Sequence, residues 1–344
     1  MKASVIGATG YAGAELLRLL TGHPEVEIAY ITSESSAGEK ITSLYPHLKD
    51  HVELELASLA DLEKVAAASD VIFAALPQGH AMKIGRALRG KNVKFIDLSA
   101  DYRFRDVAVY EKWYKIKHED PEAKAVYGLT ELYRQQVKTA QIVANPGCYT
   151  TTSIMALVPL IKAGLIETEG IVIDAASGTT GAGRSLKIGS LYCEVNENYK
   201  AYGVTTHRHT PEIEQIYSEF AKKPVILQFT PHLLPLDRGI LATCYAMLKP
   251  NVTATQVTNA FQDLYGQEYF VRLRGLGACP ELKNVRASNF VDLGWQVDAR
   301  TGRVIVMSCL DNLVKGAAGQ AVQNMNVLFG LPEKTGLEQL PVYP

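Results

Sequence analysis

In the first 147 residues, short apolar runs alternate with segments whose apolar positions repeat every three or four residues. The repeats predict helices, which cover Ala14–Leu20, Leu59–Ala68 and Ala81–Leu88. The runs predict strands, which cover Ala3–Ile6, Glu27–Ile31, Val71–Leu76, Val93–Leu98 and Ile142–Ala144. Continuously apolar strands separated by helices are typical of a parallel sheet with helices on both faces. We therefore expect an α/β, Rossmann-like domain over residues 1–147.

The pattern changes near residue 148 without a linker-like segment. A helix is predicted over residues 150–163 and a strand over Ile171–Ala176. Later segments look like antiparallel strands, and they cover Val225–Phe229, Ile240–Leu248, Phe290–Val297 and Arg303–Cys309. A final helix is predicted over Val314–Phe329. We expect an α+β domain with a mixed sheet over residues 148–311, and that sheet should carry a subunit interface because exposed sheets are usually covered.

Composition narrows the range of partners. The 344 residues include 35 basic and 36 acidic side chains, so the net charge is −1 and neither nucleic acid nor an anionic membrane is an expected partner. No run approaches the ~18 apolar residues of a membrane span, and no signal peptide is apparent, so we expect a cytoplasmic protein. The five cysteines are widely spaced and odd in number, which disfavours a disulfide framework or a zinc knuckle.

A glycine-rich loop follows the first predicted strand. Its spacing is G-x-x-G-x-x-G, which meets the dinucleotide fingerprint G-x-G-x-x-G only in part. At a strand–helix junction, such glycines let backbone N–H groups approach a pyrophosphate. The alternative is a tight turn without a ligand. The residues expected to hold the cofactor here are Gly7, Thr9, Gly10, Tyr11, Ala12 and Gly13.

The segment after the second strand bears on the choice of cofactor. Hydroxyl groups of Ser33, Ser35 and Ser36, together with Lys40, suit a 2′-phosphate and favour NADP over NAD. Glu34 would favour NAD if its carboxylate pointed inward, because an acidic residue there binds the ribose hydroxyls. Pro77, where the strand over Val71–Leu76 ends, is assigned to the same cofactor site.

Cys148 stands at the head of a long apolar helix, after Asn145, Pro146 and Gly147. A helix N-terminus stabilises a thiolate, and its N–H groups can also stabilise an oxyanion. The alternative is an inert buried cysteine. Beside a dinucleotide loop, a nucleophilic thiol suggests attack on an acyl phosphate, loss of phosphate and reduction of the thioester to an aldehyde.

Two histidines, His207 and His209, flank Arg208, and Glu212 follows three residues after the second. Pro211 should begin a helix, which would let Glu212 orient the imidazole of His209. On an extended stretch the two imidazoles would face opposite ways, so only one would reach the thiol. Metal binding is the rival interpretation, although two histidines at i and i+2 make a poor site and no metal is expected.

With these segments in view, the chain resembles the N-acetyl-gamma-glutamyl-phosphate reductases over essentially its whole length. The resemblance is carried by residues 7–13, 32–40, 98–103, 145–149, 177–184, 207–213 and 315–324. It implies NADPH-dependent reduction of N-acetylglutamyl 5-phosphate to the 5-semialdehyde with release of phosphate, a step of arginine biosynthesis. It also implies that Cys148 forms a thioester and that His209, oriented by Glu212, acts as acid and base, with His207 as the rival for that role.

The resemblance implies further site residues. The candidates for binding the substrate's carboxylate or phosphate are Arg103, Arg184 and Arg208, because a guanidinium forms bidentate hydrogen bonds with either group. Ser177, Gly178 and Asn312 are expected at the nicotinamide end of the cofactor. The C-terminal helix is expected to join the first domain, so that residues 312–344 belong to it, and the assembly is expected to be a homodimer or homotetramer.

Two other functions remain open. One is the same chemistry on N-acetyl-aminoadipyl phosphate, a substrate of lysine biosynthesis. That substrate is one methylene longer, and one methylene allows an enzyme only ~1–3 kcal/mol of discrimination. The other is a non-catalytic NADP-sensing regulator on the same fold. A regulator would be marked by loss of the nucleophile or base, and Cys148 and His209 are both present.

Overall fold

The computed structural model describes residues 1–343. They form two compact units, of which the first comprises residues 1–147 and 317–338. The second comprises residues 148–316 and the tail from residue 339. No helix within residues 1–343 has both the length and the apolar character that a bilayer span requires.

The first unit is built on a parallel seven-stranded sheet. Its strands are β1 (Lys2–Ile6), β2 (Glu27–Thr32), β3 (Leu56–Ala57), β4 (Val71–Ala74), β5 (Lys94–Asp97), β6 (Ala125–Tyr127) and β7 (Ile142–Ala144). Their order is β3-β2-β1-β4-β5-β7-β6. The chain therefore winds outward from β1 in both directions, which confirms the predicted Rossmann-like sheet and puts its switch point at β1 and β4.

Helices connect these strands. They are α1 (Tyr11–Thr21), α2 (Ile41–Leu44), α3 (Leu62–Ala67), α4 (Ala81–Leu88), α5 (Val107–Tyr114) and α6 (Thr130–Thr139). The apolar face predicted for α1 is buried, since Leu16, Leu17 and Leu20 are fully shielded from solvent. Burial of such side chains contributes roughly 1.5–3 kcal/mol each, which explains why the strand–helix alternation could be predicted from the apolar pattern.

The described residues of the second unit form a mixed seven-stranded sheet and four α-helices. The helices are α7 (Cys148–Lys162), α8 (Tyr192–Val195), α9 (Thr210–Ala221) and α10 (Ala254–Tyr265). The strands are β8 (Val172–Ser177), β9 (Lys200–Ala201), β10 (Gln228–Leu233), β11 (Ile240–Met247), β12 (Val271–Leu276), β13 (Val291–Asp298) and β14 (Arg303–Leu310). Their order is β12-β13-β14-β11-β8-β10-β9.

One expectation about this sheet is wrong. The strand predicted over Val225–Phe229 is β10, which starts at Gln228 and pairs in parallel with β8 over its whole length, while its antiparallel pairing is limited to the two-residue strand β9. Helix α9 lies between β8 and β10 in the chain and supplies the crossover that a parallel pair requires. The antiparallel pairing of β11, β13 and β14 agrees with the prediction.

The two faces of the second sheet differ. Strand β11 alternates between buried and half-buried residues, and its fully buried residues, such as Ala242 and Cys244, belong to the face against which α7 packs. The opposite face is half-exposed, and we call it the outer face. Its residues include Asp174, His232, Thr243, Tyr245, Ile305 and Met307.

The last helix, α11 (Gly319–Leu328), belongs to the first unit and follows a π-helical turn over Val314–Ala318. Residues 312–316, which were assigned to the first domain from sequence, lie in the second unit. The chain folds back there at the end of β14, because the Asp311 carboxylate accepts the N–H groups of Leu313 and Val314. The tail from residue 339 also lies in the second unit, where the Val342 N–H donates to the Arg286 carbonyl.

Candidate functional site

The glycine loop of the first unit is shaped by close backbone contacts. Gly7 has φ +84°, and a Cβ there would lie 2.4 Å from the Ala75 carbonyl oxygen. A Cβ at Gly13 would lie 2.3 Å from the Gly7 oxygen. The loop therefore folds tightly onto the start of α1, with Gly10 as its N-cap. This geometry fits a pyrophosphate bound to the N–H groups of the first turn, which contains Tyr11 and Ala12, with Thr9 in the loop just before it.

Hydroxyl groups extend from this loop to the end of β2. Thr9 Oγ1 lies 3.2 Å from Ser33 Oγ, which in turn lies 3.3 Å from Ser35 Oγ, and Ser36 follows in the same turn. The Glu34 carboxylate points elsewhere, because it accepts the Leu59 N–H at 2.6 Å. The acidic group that would have favoured NAD is thus engaged with the segment before α3, and the hydroxyl groups remain suited to a 2′-phosphate.

The loop between β4 and α4 covers residues 75–80, and Pro77 within it is exposed. Its second half is held by Asp101, whose carboxylate accepts the N–H groups of Gly79 and Ala81 at 2.7 and 3.0 Å. The Tyr110 hydroxyl donates to the same carboxylate at 2.8 Å. Asp101 therefore fixes this loop at the start of α4, a role that the sequence analysis did not identify.

In the second unit, Cys148 is the first residue of α7 and is partly buried. It lies against the π-helical turn, where a Cβ on Gly316 would approach the Cys148 Cβ to 2.7 Å. The thiol thus lies at a helix N-terminus, as predicted, and glycine at residue 316 makes room for it.

Rings surround the start of α7. The Tyr149 ring lies 5.5 Å from the His207 ring and 6.1 Å from the His209 ring, measured between centroids. The Tyr149 hydroxyl donates to the His232 carbonyl and accepts the Tyr202 hydroxyl. Burial raises the pKa of Tyr149 and raises that of Tyr202 to about 12, so both phenols stay protonated at neutral pH.

The two histidines are not on an extended stretch, and the expectation that they face opposite ways is wrong. Residues 207–210 form a turn in which the Thr210 N–H donates to the His207 carbonyl. The two rings meet edge to face, with their centroids 4.8 Å apart. Both imidazoles therefore lie beside Tyr149, the residue that follows the cysteine.

The environment of His207 defines its protonation. Burial, assisted by the charge of Arg208, lowers the pKa of His207 to about 4. The His209 backbone N–H donates to His207 Nδ1 at 3.2 Å. With Nδ1 as the acceptor, the single proton of the neutral ring lies on Nε2, which is then a donor.

Glu212 is fully buried in the first turn of α9. The Thr150 hydroxyl, two residues after the cysteine, donates to Glu212 Oε1 at 2.9 Å. The carboxylate thus joins the first turns of α7 and α9, and so links the elements that carry Cys148 and His209.

The Ser177–Gly178 segment is anchored to the loop before β11. A Cβ on Gly178 would lie 2.6 Å from the Asp237 carbonyl oxygen, which allows only glycine. Asn312 accepts the Gly239 N–H at 2.7 Å and donates to Thr180 Oγ1 at 2.9 Å. Asn312 therefore braces these two loops against each other.

Comparison with known proteins decides the family. Residues 2–140 match the semialdehyde dehydrogenase NAD-binding domain, and residues 148–312 match the semialdehyde dehydrogenase dimerisation domain. The N-acetyl-gamma-glutamyl-phosphate reductase of Geobacter sulfurreducens is 52% identical over 100% of both chains. That of Symbiobacterium thermophilum is 51% identical over 100% of this chain and 99% of its own. The chain belongs to the N-acetyl-gamma-glutamyl-phosphate reductase family.

Solved structures support the fold of this reductase family member. Aspartate semialdehyde dehydrogenase II of Vibrio cholerae has a TM-score of 0.73 at 16% identity, over 96% of this chain and 98% of its own. The Candida albicans aspartate semialdehyde dehydrogenase solved with NADP has a TM-score of 0.71 at 17% identity, over 95% and 98% of the two chains. These likenesses concern the fold.

The three arginines predicted from the family resemblance are placed differently. Arg103, in the first unit, is buried and donates to the carbonyls of Asn145 and Leu98. Arg184 and Arg208, in the second unit, are exposed. Arg103 therefore holds the turn that ends at Gly147, whereas the other two lie at the surface.

Several residues of this reductase site escaped the sequence analysis. Tyr149 and Thr150 follow the cysteine directly, and their place in the first turn of α7 is the signal that could have identified them. Tyr202 and Gly316 carry no such signal, because only the fold brings them to Tyr149 and Cys148.

Proposed function

We propose that this chain reduces N-acetylglutamyl 5-phosphate to N-acetylglutamate 5-semialdehyde and phosphate with NADPH, as a step of arginine biosynthesis. The observation that carries the proposal is Cys148 at the N-terminus of α7, beside Tyr149 and the two imidazoles. The names of the relatives favour the glutamyl substrate over its aminoadipyl homologue. The intact nucleophile and histidines argue against a non-catalytic regulator.

In this mechanism the Cys148 thiolate attacks the acyl carbon, and the carbon–oxygen bond to phosphate breaks as phosphate leaves. The N–H groups at the start of α7 have no partners within the helix, so they can stabilise the oxyanion. Bound NADPH supplies the hydride that reduces the thioester. The aldehyde is released when the carbon–sulfur bond breaks and the thiolate is restored.

The two histidines take different roles in the proposal. His207 keeps its proton on Nε2 and its Nδ1 occupied, which suits a neutral donor to the substrate's oxygen. His209 is then the acid and base that takes the thiol proton and gives it to the phosphate oxygen as the carbon–oxygen bond breaks. Glu212 positions this pair through the first turn of α9, where it also holds Thr150.

The first unit is proposed to bind NADP(H). The loop over residues 7–13 would hold the pyrophosphate, the hydroxyl groups of Ser33, Ser35 and Ser36 would hold the 2′-phosphate, and Pro77 would line the site. Ser177, Gly178 and Asn312 of the second unit are proposed at the nicotinamide end. Arg184 and Arg208 are the proposed anchors for the substrate's anionic groups, and Arg103 is a positioning residue for the turn before Cys148.

The second unit is also proposed to form a homodimer. Its outer face carries Tyr245, Ile305 and Met307 on adjacent strands, and they remain half-exposed in the single chain. An apolar sheet face of this kind is stabilised when a second copy covers it. The description of the matching family as a dimerisation domain supports this surface.

The reverse reaction tests the proposed activity. Purified protein, N-acetylglutamate 5-semialdehyde, NADP⁺ and phosphate should produce NADPH continuously, measured by absorbance, whereas without phosphate its formation should stop after one turnover per active site. Cys148→Ala should abolish the signal and keep NADPH binding. NADPH formation with only the aminoadipyl homologue of this aldehyde would assign the protein to lysine biosynthesis. No signal with either aldehyde, from protein that binds NADPH, would support the regulator instead.

A further inference from the structure

Residues 183–199, which we call the arm, form an exposed apolar segment in the second unit. It contains a 3₁₀ turn over Ile188–Ser190 and helix α8. Five of the 14 large hydrophobic side chains exposed within residues 1–343 lie in it, and they are Leu186, Ile188, Leu191, Tyr192 and Tyr199. Leu186 is 94% exposed, and Ile188 and Tyr192 are 78% and 77% exposed. Such a concentration in so short a segment marks an interaction surface.

The arm buries almost nothing of its own. Val195 is its single buried residue, and its turns are held by local hydrogen bonds, such as those from the Glu194 and Val195 N–H groups to the Leu191 carbonyl. Ordering a chain costs conformational entropy, which a segment normally recovers by burying apolar side chains. Apolar burial against another surface would therefore stabilise the conformation of the arm.

The charges of the arm indicate the kind of partner. It carries two basic residues, Arg184 and Lys187, followed by two acidic ones, Glu194 and Glu197, and its net charge is zero. This balance disfavours a nucleic acid or an anionic membrane. A second arm placed antiparallel by a two-fold axis would set Lys187 of each copy opposite the acidic end of the other, as an isologous interface requires, and would leave Arg184 to the substrate.

The arm is continuous with the outer face of the sheet. The Tyr199 ring lies 5.0 Å from the His232 ring, and His232 Nδ1 lies 3.2 Å from Asp174 Oδ1. His232 and Asp174 belong to that outer face. We propose that the arm is covered by the arm of a second copy of this chain, an inference that rests on the proposed homodimer and extends its interface beyond the sheet.

Two exposed cysteines provide a matched test. Cys193 lies in the arm, and Cys279 lies outside it. The native protein is treated briefly with N-ethylmaleimide, and modification at each cysteine is measured by peptide mass. Cys193 should react at least about tenfold more slowly than Cys279, because burial in an interface blocks reagent access. Comparable rates in the assembled protein would overturn the proposal.

Variants distinguish an arm that is covered by a second copy from an arm that is covered by its own chain. Leu186→Ser with Ile188→Ser should lower the molecular mass seen by light scattering and expose Cys193, whereas Ile226→Ser, an exposed residue outside the arm, should change neither. Lys187→Glu or Glu194→Lys alone should weaken association, and the two together should restore it. Protection of Cys193 that persists in a monomeric variant would mean that the chain covers its own arm, and would overturn the proposal.

The outcomes also separate this inference from the proposed function. A dimer with a freely reactive Cys193 would refute the arm contact and leave the sheet interface intact. A monomeric native protein would refute both contacts. Phosphate-dependent NADPH formation, measured on the same samples, would stand or fall independently of either result.

Discussion

His207 illustrates how a single residue acquires a role from its surroundings. Its ring packs against Tyr149, Tyr202 and Phe229, and its Nδ1 accepts a backbone N–H. A solvated histidine at the same place would titrate near pH 6.5. Burial keeps this ring neutral across the physiological range, which favours a hydrogen-bond donor over a base.

The low pKa of His207 makes stability depend on pH. The unfolded chain protonates this histidine near pH 6.5 and the folded chain only near pH 4, so the unfolded state binds more protons between these values. The free energy of unfolding should therefore fall as the pH drops, by about 2 kcal/mol at pH 5 from this residue. Urea unfolding at pH 7 and pH 5 measures the loss, and His207→Gln should remove about that much of it. An equal loss in the variant would contradict the assignment.

Ser35 and Glu34 provide a residue-scale test of cofactor choice. Ser35 lies in the row of hydroxyl groups that begins at Thr9, whereas the Glu34 carboxylate is engaged by the Leu59 N–H. Ser35→Asp should repel a 2′-phosphate and raise the KM for NADPH about tenfold or more relative to NADH, a difference of roughly 1.4 kcal/mol. Glu34→Gln is the control and should leave the preference unchanged. A shift in the control alone would place the 2′-phosphate elsewhere.

Helix α7 and the π-helical turn over Val314–Ala318 show how elements form the nucleophile's surroundings. The helix supplies N–H groups without intrahelical partners, and the turn approaches it so closely that only glycine fits at residue 316. A π-helical turn is uncommon and is often found at functional sites. The two elements together fix the thiol's position.

Gly316→Ala tests this contact. The added methyl group would lie 2.7 Å from the Cys148 Cβ, so the helix and the turn must move apart. We expect kcat to fall at least about tenfold and stability to fall by about 1–3 kcal/mol, as overpacking usually costs. Gly22→Ala is the control, since Gly22 caps α1, has φ −88°, and an added Cβ would make only an ordinary 3.8 Å contact with the Leu19 carbonyl oxygen. Unchanged kcat in Gly316→Ala would show that the thiol tolerates displacement.

At the scale of the whole molecule, the apolar pattern was sufficient for most of the fold. The buried strands of the first sheet and the amphipathic α1 follow directly from it. Two-residue strands such as β3 and β9 did not appear, because pairs of residues carry no periodicity. The parallel direction of β10 could not be predicted either, since it depends on the path of the chain through α9 and not on the composition of the strand.

The sequence predicts which residues form the site but not how they are placed relative to one another. Cys148, His209 and Glu212 were predicted from local signals, which were a helix start and a proline-initiated helix. The edge-to-face packing of His207 on His209 depends on a turn that no local pattern encodes. The contact of Gly316 with Cys148 joins residues that are far apart in the chain. Motifs therefore predict the chemistry, and the fold supplies the geometry in which it would occur.

The central claim is that Cys148 carries the acyl group. Enzyme mixed with N-acetylglutamate 5-semialdehyde and NADP⁺ without phosphate should release a burst of NADPH stoichiometric with active sites and retain an acyl adduct. Peptide mass spectrometry should place the adduct on Cys148, and added phosphate should discharge it. Phosphate-dependent turnover by protein that never carries an adduct on Cys148, or that persists in Cys148→Ala, would contradict the account.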